Sequence, residues 1–108
     1  MSHPIDLLEA HLVGEADWIA IGTACRLCRL SLEMVVELAE LGVVSPRGYR
    51  PDEWQLPVTS VPRLRRVGRL VNDLGVNASG AALVVELLES RQDLKRRLRE
   101  LERRLGIA

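Results

Sequence analysis

From Thr59 to the C-terminus, apolar residues return every three or four positions. Leu64, Val67, Leu70, Val71 and Leu74 trace one face of a helix, and Gly75 ends it. Thr59-Ser60-Val61-Pro62 sets a capping residue before an early proline, the pattern of that helix's start. Asn77 then caps a further helix. Its first part, Ala81 to Leu88, is apolar on most sides, which predicts burial. From Glu89 onward only one stripe remains apolar.

The upstream patterns are shorter. Trp18-Ile19-Ala20-Ile21 reads as a strand or a buried lead-in, and a helix follows over Thr23 to Cys28. Leu30-Ser31 breaks it. Ser31 is a good N-cap for a second helix from Leu32 to Leu41, which Gly42 closes. Two short helices joined so tightly form a helix-turn-helix unit. Pro46, Gly48, Pro51 and Pro57 exclude helix from Val43 to Pro57, so this stretch is a loop or small hairpin with Trp54 and Leu56 pointing inward. Ile5 to Leu12 fits a short amphipathic helix that must dock or fray. The expected fold is all-α, with four principal helices and little sheet. Residues 1–16 are a leader of uncertain structure, 17–89 a helical domain, and 90–108 a coiled-coil-like C-terminal helix.

Val84, Leu87, Leu94, Leu98, Leu101 and Leu105 follow heptad steps, with Arg91 in the one polar position. A stripe this narrow, flanked by Arg and Lys, suits pairing with a second copy better than docking on its own domain, where a wider apolar face is needed. A homodimer is expected.

Composition narrows the class. Of 108 residues, 47% are hydrophobic and 28% charged, which is globular rather than disordered. The aromatics are Trp18, Tyr49 and Trp54, so the core must be mostly Leu, Val, Ile and Ala. No apolar run approaches the roughly 20 residues that span a bilayer, and Asp6 and Glu9 interrupt any secretion signal. Cys25 and Cys28 are too few for a disulfide framework. The expected setting is cytoplasmic, away from membranes.

The Cys25-Arg26-Leu27-Cys28 spacing would need two more ligands to hold zinc, and the only histidines, His3 and His11, lie in the leader. Both cysteines fall where a first helix is buried, so no metal is expected. The chain offers no phosphate loop, activated nucleophile or convergent carboxylate pair, hence no cofactor and no enzyme activity.

The net charge of zero hides a division. Residues 1–46 hold seven acids against Arg26 and Arg29, a balance of −5; residues 47–108 hold 13 basic residues against eight acids, a balance of +5. On the second helix Met34, Val35, Leu38 and Leu41 make the inward face, and Glu33, Val36, Glu37 and Glu40 the outward one. DNA recognition depends on cationic contacts and on Arg, Lys, Asn or Gln as base readers. Three carboxylates there are repelled by phosphate and attract a basic protein surface. The plainer alternative is a solvated acidic face. Arg47 and Arg50 lie in the loop and Arg63, Arg65, Arg66 and Arg69 on the next helix, where Arg65, Arg66 and Arg69 share one side; that patch offers phosphate contacts, but without a base reader it reads better as a solvated face.

Ile21 to Gly48, with Glu37-Leu38-Ala39-Glu40-Leu41-Gly42-Val43-Val44-Ser45-Pro46-Arg47 at its centre, resembles the MerR-like helix-turn-helix. Arg66 to Leu88 resembles that superfamily's second helical pair, and the final heptads its dimerisation helix. Two departures point to a branch. Val35-Val36-Glu37-Leu38 stands where DNA-binding members carry Arg and an aromatic-acidic step. Gly48-Tyr49-Arg50 is kept in the wing, but Pro51-Asp52-Glu53 follows. This combination is similar to the CbpM chaperone modulators. The resemblance implies binding to the J-domain of a DnaJ/CbpA-like co-chaperone and inhibition of its action with Hsp70. Glu33, Val36, Glu37 and Glu40 would be the contact residues. A MerR-like DNA-binding regulator is the alternative.

Overall fold

The computed structural model describes residues 17–107, so the leader and its expected short helix lie outside the described residues. Two strands, β1 (Trp18–Ala20) and β2 (Gln55–Pro57), pair antiparallel with Ile19 opposite Leu56. Among the described residues there are four α-helices: α1 (Ile21–Cys28), α2 (Leu32–Glu40), α3 (Val61–Leu74) and α4 (Ala78–Arg104). The pattern of four helices and minor sheet is the one the sequence predicts.

The turn between α1 and α2 is built from three residues. Arg29 takes a left-handed conformation (φ 57°), and its carbonyl accepts a 2.7 Å hydrogen bond from the Asn72 amide on α3. Leu30 is buried beneath the turn. Ser31 caps α2 by accepting from the Met34 N–H at 3.1 Å. Gly42 (φ 81°) reverses the chain after α2, and Val43 and Val44 enter the core behind it.

The loop that follows returns as β2 through a 3-10 turn at Pro51–Glu53. Leu56 is fully buried and Trp54 half-buried, as their alternation predicts. The start of α3 differs from expectation. Ser60 does not cap the helix; its hydroxyl donates to the Pro57 carbonyl at 2.6 Å. A 3-10 turn over Val58–Ser60 leads directly into α3, and Pro62 tolerates this start because a first-turn N–H has no partner to lose. Gly75 (φ 68°) ends α3.

The core joins Ile19, Ile21, Ala24, Cys28, Val35, Leu38, Leu56, Leu64, Val67, Ala81 and Val85, among others. Helix α1 packs on α3, while α4 covers both α2 and α3. The α1–α3 contact is a backbone contact, because buried Gly68 lies directly against the Cys28 carbonyl.

Helix α4 runs 27 residues, roughly 40 Å, without a break. The expected burial of Ala81 to Leu88 holds for one face only. Ala78, Ala81 and Val85 are buried, whereas Leu83 and Leu87 on the nearly opposite side are 56% and 59% exposed. This stretch is apolar all round because it has two apolar faces, one of which meets the core. Leu74, expected on the inner face of α3, is likewise exposed in its last turn.

Asn77 accepts from the Gly80 N–H at 2.8 Å and so fixes the first turn of α4, which carries core residues Ala78 and Ala81. Asn77→Ala is expected to cost about 1 kcal/mol, the usual value of such a cap. Urea unfolding reads it as a lower midpoint with an unchanged slope. An unchanged midpoint would mean that packing alone holds this turn.

Candidate partner-binding surface

Helix α2 divides cleanly. Val35 and Leu38 are buried, Val36 is half-buried, and Glu33, Glu37 and Glu40 are exposed. None of the three glutamates makes an ion pair among the described residues. The expected outward face is therefore an open anionic surface. Leu41, expected inward, is instead 47% exposed. It lies past the last helical residue, and the inward place beyond Leu38 is taken by Val43 and Val44 after the Gly42 reversal.

The wing cations are engaged within the chain. The Arg47 Nε donates to Gln55 Oε1 at 2.9 Å, and its guanidinium stacks 4.1 Å from the centre of the Trp18 ring. Arg50 lies 3.5 Å from Asp52. Between them Tyr49 is fully exposed, beside Gly48 (φ 125°). The sequence could not reveal these partners, because Trp18 and Gln55 meet Arg47 only through the strand pairing.

The arginines of α3 also separate. Arg63 grips Glu89 on α4 through two hydrogen bonds (2.7 and 3.0 Å) and donates a third to the Val43 carbonyl (2.9 Å). Arg66 borders an open groove of mixed charge, with the acids Glu86, Glu89 and Asp93 and the cations Arg91, Lys95 and Arg96. Arg65 and Arg69 line a second depression with Arg29 and Asp73, which themselves pair at 3.8 Å. Arg65 and Arg69 thus share one depression, while Arg66 borders another.

Cys28 is buried in the α1–α3 seam with its thiol donating to the Val61 carbonyl at 3.9 Å. Burial pushes the Cys28 thiol up to about 11. Cys25 is half-buried and raised as well, first by burial and then by Glu33. The local field favours protonated, packing thiols over nucleophiles or metal ligands.

On α4 the residues Leu87, Leu94, Leu98, Leu101 and Leu105 are all more than half exposed, with Val84 half-buried at their edge. Leu83 joins this row, a position the sequence reading passed over. Counted from Leu83 through Ser90, the spacing is 4-3-4-4-3-4, an 11-residue repeat that shares Leu87, Leu94, Leu98, Leu101 and Leu105 with the heptad through Arg91. Such a repeat keeps paired helices nearly straight or slightly right-handed.

A family model described as "MerR HTH family regulatory protein" matches residues 19–103. The chain is 36% identical over 84 residues to a chaperone modulatory protein CbpM of Pseudomonas entomophila, covering 78% of this chain and 83% of the relative. It is 34% identical over the same shares to a CbpM of Pseudomonas putida. A CbpM of Coxiella burnetii is 25% identical over 97 residues, 90% of this chain and 92% of the relative.

Proposed function

Because the chain belongs to the CbpM family of chaperone modulatory proteins, a branch of the MerR-type helix-turn-helix regulators, we propose that it acts as a chaperone modulator that binds the J-domain of a DnaJ/CbpA-like co-chaperone. Occupying that domain would block its productive contact with Hsp70. The observation that carries this reading is the open acidic face of α2, Glu33, Glu37 and Glu40, where a DNA reader needs cations. A basic helical partner complements it in sign and is drawn to it at long range. The protein works by binding, as a homodimer paired through the exposed leucines of α4, in a cytoplasmic setting where its free thiols persist.

The triple variant Glu33→Lys/Glu37→Lys/Glu40→Lys tests this. All three side chains are exposed, so the fold is kept. Calorimetry against an isolated J-domain is expected to read about 100-fold weaker binding, roughly 1 kcal/mol per reversed charge. Undiminished binding by the variant would move the interface off α2.

The DNA-binding alternative draws on Arg47, Arg50 and Arg66. It is weakened by the internal partners of the first two. Tight, sequence-selective binding to one duplex at physiological salt, together with indifference to J-domains, would restore it.

A further inference from the structure

The acidic ridge of α2 does not stop at its glutamates. Residues four apart stack along a helix, so the row Glu33–Glu37 continues one turn further onto exposed Leu41. Beside Leu41 a notch of about 160 Å³ opens between the end of α2 and the first half of α4. Leu41, Val43, Ala82 and Val85 supply its apolar lining, and Glu86 and Glu89 its acidic rim. Its one cation, Arg63, is engaged by Glu89 and the Val43 carbonyl. The volume falls well below the roughly 300 Å³ at which small-molecule pockets begin, and suits one side chain.

Exposed carboxylates steer a partner but contribute little each, about 0–1 kcal/mol. Tight complexes rest on a few apolar anchors buried at the interface. The notch lies where such an anchor is needed, at the end of a charged ridge, with further acids on its far wall.

We propose that this notch receives one aliphatic or aromatic side chain from a cationic amphipathic helix whose basic residues lie along Glu33, Glu37 and Glu40. The inference rests on the reading of α2 as a docking helix and adds the anchor that reading lacks. The signs of the surrounding charges select a cationic occupant: Glu37 and Glu40 on one side and Glu86 on the other have no ion-pair partner among the described residues. Glu86 also separates the notch from the outer leucine row of α4, so the two surfaces are distinct.

The test uses the full chain with Leu41→Ser, which removes the apolar wall without adding charge, and Leu41→Met, which keeps it. The probes are an isolated J-domain and a synthetic amphipathic peptide of lysine and leucine. Measurements at about 1 M ionic strength, where the screening length is about 3 Å, isolate the apolar part of binding. The expected result is affinity about tenfold or more weaker for Leu41→Ser and near wild type for Leu41→Met, as for an anchor contact. Equal affinity of Leu41→Ser and wild type would overturn the notch while leaving the acidic-face reading to its own charge-reversal result. Leu41-dependent binding of the peptide with no binding of J-domains would keep the notch and discard the J-domain partner. Binding of neither probe would discard both. A change confined to the monomer–dimer balance, read by sedimentation, would give the notch to a second copy and overturn the proposal.

Discussion

Gly68→Ala is expected to destabilise the domain by about 3 kcal/mol or to prevent folding. On an exposed helix the same change stabilises by up to about 1 kcal/mol. The sign reverses here because α3 meets α1 backbone to backbone. A Cβ at residue 68 would overlap the Cys28 carbonyl oxygen and press toward Leu30. That oxygen cannot step aside: the left-handed turn at Arg29 follows at once, and Asn72 on α3 already holds the Arg29 carbonyl. Gly22→Ala supplies the matched control. Gly22 is exposed on α1, and its Cβ would meet only the Arg26 guanidinium at 3.7 Å. That variant is expected to be neutral or slightly more stable. Urea unfolding of the pair decides the matter; similar midpoints would contradict the close approach of the helices.

Leu98→Asp combined with Leu101→Asp is expected to abolish self-association. Burying each leucine in a paired interface is worth about 1.5–3 kcal/mol, so losing two from each copy weakens a dimer by at least about 10,000-fold. The two side chains are more than half exposed and lie outside the core, so cooperative unfolding of the globular part should survive. Helical content over the last turns should fall, because a solvated helix without a partner depends on propensity alone. Sedimentation equilibrium and circular dichroism read the two effects. A wild-type protein that sediments as a monomer at every concentration would dismiss the pairing.

Local chemistry was the readable part of this sequence. Ser31, Asn77, Gly42 and Gly75 mark helix ends through their own side chains or backbone freedom, and each sits where its type predicts. The family pattern supplied the order of the helices. Context decided the rest. Ser60 looked like a cap but found the Pro57 carbonyl instead. Leu41 belonged to the inward row by periodicity, yet the Gly42 reversal gave its place to Val43 and Val44. The apolar start of α4 looked buried because periodicity cannot tell one wide face from two opposed ones. Arg47 reads as a loop cation that only the DNA-binding alternative would use, and its stacking on Trp18 depends on a strand pairing across residues far apart in the chain. Each miss lies where a long-range contact overruled a local pattern. The acidic face was legible because none of the described residues covers it.

The threefold grip of Arg63 has a consequence for how the surface behaves as a machine part. One guanidinium bolts the segment leaving α2 to the long helix α4, using a backbone carbonyl at one end and a carboxylate at the other. As an ion pair it is half-exposed and adds little to stability. As a brace it ties the exit of α2 to α4, so a client docking on α2 as proposed would meet a stiff mould and forfeit little conformational freedom in the protein it grips.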